Sequence, residues 1–381
     1  MIITKIILNP TYTIIAIAIL FIMYLIIYLW HRSFLKRNSS SKEKNAHKLS
    51  RHDQNPIMSP RTHQEWESGG TFNPAAVTDN EGTVHLLYRA VGDDGISRIG
   101  HASSRDGKTI DSRSSFPVYQ PSQGYGMPDP SSIHGPLTYD PIMHPSGGGW
   151  AGCEDPRAVK IEDTIYMTYT AFEGWNSVRI GVTSISEKNL RNNHWNWKKP
   201  KIISSSKQIN KNWVIFPEKI NGKFAVLHSV SPKILIDYVD SLSNPYSTDV
   251  ILSQSPKGGR KTHWDNWMRG AGAPPIKTSK GWLLLYHAMD KNDPDKYKLG
   301  AMLLDFKDPT IVLFRSPKPI LEPIMSYEND SKAGVIYASG AVVKHGNLLV
   351  YYGGGDKHIC VAETTLNTLL EWLIKYGKIS N

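Results

Sequence analysis

Polar and charged residues recur at the starts of five similar segments of this chain. Carboxylates, guanidinium groups and amides around one concave site suit a ligand that carries many hydroxyl groups. Cleavage of a glycosidic bond needs a carboxylic acid that protonates the leaving oxygen, and Asp155 is the best candidate for that acid. The alternative is that Asp155 and Arg157 form a structural ion pair. The five starts read Phe72-Asn73-Pro74-Ala75, Cys153-Glu154-Asp155-Pro156-Arg157, Phe216-Pro217-Glu218-Lys219, Met268-Arg269-Gly270-Ala271-Gly272-Ala273-Pro274-Pro275 and Ala338-Ser339-Gly340-Ala341.

A strand pattern follows each of these starts and sets their positions. Each copy has alternating apolar residues that end in an aromatic residue, which is typical of a β-strand with one buried face. A turn precedes this strand and another extended segment follows it, so each copy contains at least three strands. The aromatic markers, 58 to 81 residues apart, are Tyr88, Tyr169, His228, Tyr286 and Tyr352. The repeat predicts an all-β fold, a five-bladed β-propeller over residues 61–381, whose blade starts converge on one axis. A β-sandwich with fortuitously similar hairpins is the alternative.

The N-terminal 60 residues have a different composition. The segment from Ile14 to Trp30 is uninterrupted and apolar, which predicts a single transmembrane helix over residues 12–31 behind a short tail of residues 1–11. Residues 32–60 are basic and polar and are predicted to form a flexible stalk. Basic residues follow the apolar segment closely, which predicts a single-pass membrane protein with its propeller facing the cytoplasm.

Charge and cysteine content exclude several classes of function. The net charge of +10 divides into +7 for residues 1–51 and +3 for the rest, so the basicity belongs to the tail and nucleic acid is not an expected partner. Cys153 and Cys360 have no zinc-spaced companions, and no metal site or disulfide framework is predicted. The common phosphate-loop, dinucleotide, zincin and hydrolase motifs are also absent from the sequence.

The motifs at the blade starts and near the C-terminus resemble glycoside hydrolase family 130. The resemblance runs in order from about Asn73 to Glu363. It implies a five-bladed propeller that acts on β-mannosides, in a family of inverting phosphorylases with some hydrolases. The matching stretches are Gly152-Cys153-Glu154-Asp155-Pro156-Arg157, Phe216-Pro217-Glu218-Lys219-Ile220-Asn221-Gly222-Lys223, Gly270-Ala271-Gly272-Ala273-Pro274-Pro275-Ile276-Lys277-Thr278 and Leu349-Val350-Tyr351-Tyr352-Gly353-Gly354-Gly355-Asp356.

The resemblance also implies roles for individual residues. Asp155 matches the family's proton donor, which acts through a hydroxyl of the bound mannose. Asn73, Arg89 and Asp356 match positions that line the sugar site. The other predicted substrate-binding residues come from the blade starts or follow a marker tyrosine, and they are Glu154, Arg157, Glu218, Lys219 and His287. His287 is equally compatible with a structural, hydrogen-bonded histidine. Four tryptophans in neighbouring loops present ring faces suited to sugar stacking: Trp150, Trp175, Trp264 and Trp267.

Three functions are compatible with these residues. The first is a membrane-anchored β-mannoside phosphorylase that uses no cofactor, takes a β-mannoside or manno-oligosaccharide and inorganic phosphate as substrates, and holds the phosphate at Arg179 and Arg269. The second is an inverting β-mannosidase, in which Glu218 or Glu173 would activate water. The third is a non-catalytic carbohydrate-binding propeller. It is motivated by Ser229 and Met268, which differ from the residues that the family commonly has there.

Overall fold

Alternating apolar residues form antiparallel strands at each of the five repeats. The computed structural model describes residue 20 and residues 22–32, 48–133, 137–206, 208–242, 250–253 and 258–379. In chain order the strands are β1 (Ser50–Arg51), β2 (Gly70–Thr78), β3 (Val84–Val91), β4 (Ile96–Ser104), β5 (Ser112–Arg113), β6 (Ala151–Ile161), β7 (Thr164–Phe172), β8 (Val178–Ser186), β9 (Lys201–Ile202), β10 (Val214–Ile215), β11 (Phe224–Ser229), β12 (Leu235–Val239), β13 (Trp267–Ala271), β14 (Ile276–Thr278), β15 (Gly281–Asp290), β16 (Asp293–Leu304), β17 (Val312–Arg315), β18 (Ile336–Lys344), β19 (Asn347–Gly354) and β20 (His358–Thr365). Two α-helices, Glu187–Arg191 and Leu366–Tyr376, and three 3-10 turns, Glu65–Glu67, Pro130–Ser132 and Ser326–Glu328, lie between or after them.

Each repeat folds into its own antiparallel meander, which we call a blade. In chain order the blades are β2-β3-β4-β5, β6-β7-β8-β9, β10-β11-β12, β13-β15-β16-β17 with β14 also on β15, and β18-β19-β20. Blades 1 and 2 are joined by a short parallel pairing of β4 with β6. The early strand β1 pairs with β20, so that a segment from before blade 1 completes blade 5.

The apolar cores lie between consecutive blades. One cluster packs blade 1 against blade 2 around Leu87 and Met167, and corresponding clusters join blades 2 and 3, 3 and 4, and 5 and 1. Strand β2 contacts both β6 and β18, and further contacts join β6 to β10, β11 to β13 and β16 to β18, so consecutive blades form a closed ring. The described residues therefore have an all-β architecture consistent with a five-bladed propeller.

The marker tyrosines of the repeat pack against glycines on the adjacent strand. Tyr169 lies opposite Gly181, and a Cβ atom on that glycine would lie 2.4 Å from the tyrosine ring. Tyr88 with Gly100 and Tyr286 with Gly300 repeat this arrangement in blades 1 and 4. The marker tyrosines of blades 1, 2 and 4 are therefore packing residues of their blades.

Three of these tyrosines also donate a hydrogen bond to a buried carboxylate. Tyr88 donates to Glu67 at 2.9 Å, Tyr286 to Asp265 at 2.8 Å and Tyr352 to Glu328 at 2.9 Å. Each carboxylate is fully buried and is paired with at least one arginine. The arginine partners are Arg61 and Arg113 for Glu67, Arg260 and Arg315 for Asp265, and Arg51 for Glu328. Blades 1, 4 and 5 thus share a Tyr–carboxylate–Arg network that satisfies its buried charge.

The structure corrects the prediction of a transmembrane helix over residues 12–31. No helix among the described residues combines the length and the apolar character needed to cross a membrane. In this segment residue 20 and residues 22–32 are described as helical. Predicted residues 12–19 and 21 lie outside the described residues.

The predictions that depended on this helix change with it. A single-pass membrane location with a cytoplasm-facing propeller was the wrong prediction, because it rested on that spanning helix. The predicted tail, residues 1–11, and residues 33–47 of the predicted stalk lie outside the described residues. The compact unit that holds the blades begins at Lys48 and includes β1, which pairs with β20.

The Tyr–carboxylate–Arg network of blade 4 gives a stability prediction. Asp265→Ala should lower the free energy of unfolding by about 3 kcal/mol or more, because Arg260 and Arg315 lose their shared carboxylate. Lys277→Ala in the same blade breaks an exposed pair with Glu218 and an exposed contact with the Phe306 ring, and should cost about 1 kcal/mol. Urea unfolding of the two variants measures the difference. Equal losses would show that the network contributes no more than a surface ion pair.

Candidate functional site

A cavity of about 660 Å³ opens where the blade starts meet. It draws on the inner strands and their preceding loops, as the repeat predicted, and every lining residue belongs to the unit that begins at Lys48. Five of the predicted site residues line it: Asn73, Arg89, Asp155, Arg269 and Asp356. Trp175 and Trp267 also line it, whereas Trp264 stacks on Tyr286 in the core of blades 3 and 4. Among the described residues, no group of three His, Cys, Asp or Glu side chains is arranged to hold a metal ion.

A β-bulge in the innermost strand of each of blades 1 and 2 positions Asn73 and Asp155. In β2 the register with β3 shifts between Phe72 and Ala75, and in β6 the register with β7 shifts between Glu154 and Arg157. The residue inside each bulge has a left-handed backbone, with φ of 49° at both Asn73 and Asp155. Asn and Asp tolerate this conformation better than most residues, and a bulge redirects a side chain out of the sheet pattern. Asn73 and Asp155, each of which precedes a proline in the sequence, therefore turn into the cavity.

Asp155 is a buried carboxylate with partners from blade 1. Its Oδ1 accepts hydrogen bonds from Asn73 Nδ2 at 2.8 Å and from Arg89 Nη1 at 3.3 Å. Burial by itself would raise the pKa of Asp155, but the nearby cations, led by Arg89, favour the charged form and lower the pKa to about 2. With these cations beside it, Asp155 is accordingly ionised near neutral pH.

Arg89 and Glu154 form the wall behind Asp155. Arg89 Nη2 donates to Glu154 Oε1 at 3.0 Å and to the Ser146 carbonyl at 2.6 Å. Lys211 Nζ approaches the other Glu154 oxygen at 2.9 Å and Ser146 Oγ at 2.8 Å. Glu154 is fully buried and is absent from the cavity surface, so it holds the two cations in place instead of contacting a ligand in the main cavity.

Arg157 lies on the other side of Asp155. It donates hydrogen bonds to blades 2, 4 and 5 and to the loop that precedes blade 3. Its Nη1 donates to the Asp155 carbonyl at 2.9 Å. The guanidinium also donates to Gly272 O at 2.9 Å, Asn212 Oδ1 at 3.0 Å, Ala271 O at 3.4 Å and the Tyr337 hydroxyl at 2.9 Å. Arg157 is buried and does not line the cavity, whereas Asn212 and Tyr337 do. Its role here is to fix the backbone of Asp155 and two residues of the cavity wall.

His287 and Asp356 differ in their exposure to the cavity. His287 is fully buried and outside the lining; its Nε2 accepts a hydrogen bond from the Ala338 N–H at 2.9 Å, and its ring stacks on Tyr337 at 4.4 Å. Burial, reinforced by Arg157, lowers the pKa of His287 to about 3, so the imidazole is neutral. Asp356 does line the cavity, and burial raises the pKa of its carboxyl above the ordinary value.

Besides Glu154, Arg157 and His287, three further predicted residues lie away from the cavity lining. Glu218 is partly exposed and pairs with Lys277 at 2.6 Å, and Lys219 lies over the Phe224 ring. Arg179 donates to Glu173 at 2.8 Å and to the Gly124 carbonyl at 3.1 Å. Since none of the three is on the main cavity surface, the geometry supports Arg269 but not Arg179 as a ligand-facing cation.

Several lining residues were missed by sequence reasoning. Lys211 and Asn212 precede blade 3 within a polar loop that carries no repeat signal, and Lys332 lies in the loop before β18. Lys332 reaches the Pro145 carbonyl at 3.1 Å and Asp356 at 3.5 Å. Tyr337 was missed because the repeat pattern of blade 5 lies on β19, whereas Tyr337 lies on β18. Only the position of Tyr337, close before the Ala338-Ser339-Gly340 start, offered a usable signal.

The close approach of Gly353 to Asn73 explains why one of the three residues before Asp356 is glycine. A Cβ atom at Gly353 would lie 2.1 Å from Asn73 Oδ1. Only glycine therefore leaves room for the Asn73 amide that holds Asp155. The Gly353-Gly354-Gly355 motif thus serves the site through blade 1 as well as through Asp356.

Comparison with known proteins identifies relatives of this cavity and its propeller. The model of glycoside hydrolase family 130, described as beta-1,4-mannooligosaccharide phosphorylase, matches residues 48–375. The 1,2-beta-oligomannan phosphorylase of Thermoanaerobacter sp. (strain X514) is 36% identical over 324 residues, which cover 83% of this chain and 96% of the relative. A beta-1,2-mannobiose phosphorylase of the same organism is 34% identical over 330 residues, with coverage of 83% and 96%.

A solved structure gives the same result. The beta-1,2-mannobiose phosphorylase of Listeria innocua, solved in complex with beta-1,2-mannobiose, superposes with a TM-score of 0.63 and 25% sequence identity. The superposition covers 85% of this chain and 99% of that chain. These matches show that the chain belongs to glycoside hydrolase family 130, the family of β-mannoside-active enzymes that its motifs resemble.

Proposed function

We propose that this protein is a phosphorylase of β-1,2-linked mannosides, with Asp155 as the proton donor. One observation carries the proposal: Asp155 faces a cavity that also presents several cations, so that an acid and an anion site share one space. The two relatives above 30% identity act on β-1,2-linked mannans or mannobiose, which supports this linkage, whereas the family model's description names the β-1,4 linkage.

The reaction follows from these groups. A phosphate oxygen attacks the anomeric carbon on the face opposite the leaving sugar, the glycosidic carbon–oxygen bond breaks, and the leaving oxygen receives a proton that originates from Asp155. The product is α-mannose 1-phosphate and a shortened saccharide. No general base is needed, because phosphate is already an anion and requires positioning and charge compensation.

Three lining cations are available for the phosphate. Arg269 contacts the rings of Trp267 and Tyr297, and among the described residues no carboxylate pairs with it. Lys211 is bonded to Glu154 and Ser146, and Lys332 to Asp356 and the Pro145 carbonyl, yet both lysines lie on the cavity surface. Bound phosphate would offset the positive charge that lowers the pKa of Asp155, so the acid would regain its proton in the complex with both substrates.

Hydrolysis has less support from the geometry. An inverting hydrolase needs a second carboxylate that activates water beside the sugar. Glu218 pairs with Lys277 outside the main cavity, and Glu173 pairs with Arg179 and is likewise absent from the main cavity. The two carboxylates nominated from the sequence are therefore poorly placed for that role.

Replacement of the acid tests the assignment of Asp155. Asp155→Asn keeps the Oδ1 acceptor for Asn73 and should lower kcat by about 10²–10⁴-fold, since general acid catalysis contributes that much. Release of mannose 1-phosphate from β-1,2- and β-1,4-mannobiose, with and without phosphate, measures it. Glu218→Gln should be near wild type. Retention of wild-type turnover by Asp155→Asn would refute the role, and unchanged release of mannose without phosphate would refute phosphorolysis.

Substitution of Arg269 tests whether this residue binds the phosphate. Arg269→Ala should raise the KM for phosphate by roughly 10- to 100-fold, because a charge-assisted hydrogen bond contributes about 1.5–3 kcal/mol. Arg179→Ala and the exposed control Arg105→Ala should leave that KM within about twofold. Initial rates at saturating mannoside give the values. A larger effect at Arg179 than at Arg269 would reverse the assignment.

The charge around Asp155 predicts a shift in the pH profile. Lys211 helps to lower the pKa of Asp155, so Lys211→Met should raise that pKa and keep the acid protonated to higher pH. The basic limb of kcat, measured at saturating concentrations of both substrates, should therefore move to higher pH. Lys277→Met, which removes an exposed lysine outside the cavity, is the matched control. A limb that stays in place or moves to lower pH would contradict this electrostatic account.

A further inference from the structure

A second cavity adjoins the first one across a shared wall. Its volume is about 330 Å³, and Ser146 and Trp175 line both cavities. Trp150, Phe172 and His144 line only the second. The two spaces therefore meet at the indole of Trp175, which is 49% exposed.

The aromatic wall of the second cavity is held in place from behind. Phe172 and Trp175 pack edge to face with their ring centroids 5.4 Å apart. The Lys211 ammonium lies 5.3 and 5.2 Å from those two centroids, and it is tied to Glu154 of the catalytic wall. Trp150 Nε1 donates to the Asp94 carbonyl at 2.7 Å, which fixes the second indole. Such fixed aromatic surfaces suit the apolar face of a sugar ring.

The polar groups of this cavity suit a neutral ligand. His144 Nε2 is buried without a hydrogen-bond partner among the described residues. The lining includes one carboxylate, Glu173, which is already paired with Arg179. The described lining contains no lysine or arginine, which disfavours phosphate or another anion as the occupant. Aromatic faces together with a few hydrogen-bonding groups are what a saccharide needs.

We propose that the second cavity binds the sugar units of a manno-oligosaccharide that extend beyond the disaccharide in the main cavity. The protein then prefers β-mannosides of three or more units, with Trp175 as the surface over which the chain passes between the cavities. This inference rests on the proposed function. It also distinguishes between the two relatives, one of which acts on an oligomannan and the other on mannobiose.

Chain-length dependence tests this inference. We expect kcat/KM for β-1,2-mannotetraose to exceed that for β-1,2-mannobiose by about tenfold, the size of one well-formed aromatic contact. His144→Ala and Met143→Trp, the second of which narrows the cavity, should each reduce this ratio at least several-fold. Phe116→Ala, an exposed aromatic residue outside both cavities, should leave the ratio unchanged.

Binding to the inactive protein keeps the test independent of turnover. Titration of Asp155→Asn with the two saccharides should show tighter binding of the tetraose, and the His144→Ala change in that background should remove the difference. Phosphorolysis of both saccharides with equal kcat/KM and equal affinity would overturn the inference while leaving the proposed function intact. Tighter tetraose binding without phosphate-dependent turnover would support the second cavity and overturn the proposed function.

Discussion

The buried guanidinium of Arg157 is the interaction on which the rest of the site depends. A charge removed from water is tolerated only when its donors are satisfied, and Arg157 meets this condition by bonding to groups from four blades or their leading segments. The same bonds hold the Asp155 carbonyl, Asn212 and Tyr337. These bonds join blades 2 to 5 at the point where Asp155 lies on the cavity surface, so the packing of these blades and the geometry of the cavity depend on the same residue.

The second constraint is electrostatic. Asp155 and Asp356 line the same cavity, yet the cations beside Asp155 lower the pKa of that carboxyl, whereas burial raises the pKa of Asp356. Two carboxylates whose pKa values are driven apart are characteristic of a catalytic site. Here the separation depends on Arg89 and Lys211, which Glu154 holds in place from behind. The fully buried Glu154 therefore acts on the chemistry through the positions of these two cations.

The strands and several cavity residues could be predicted from the sequence, because the strand repeat and the polar blade starts are local signals. Alternation predicted the strands, and the polar blade starts contained Asn73 and Asp155, which lie in bulges of β2 and β6. Lys211 and Lys332 were not predictable, because they reach the cavity from loops whose course is set by other blades. Arg179 and Glu218 lie outside the main cavity for a related reason. A charged residue near a motif pairs with an opposite charge that the fold brings close, here Glu173 and Lys277.

The most direct test of phosphorolysis through Asp155 is a time course followed by phosphorus NMR, with β-1,2-mannobiose and phosphate as the only substrates. If phosphate is the acceptor, a resonance of α-mannose 1-phosphate should grow as inorganic phosphate is consumed in equal amount, and one free mannose should be released per turnover. Asp155→Asn should give no such resonance on the same timescale. Two free mannose molecules per mannobiose, with the phosphate resonance unchanged, would contradict the account and show that water is the acceptor.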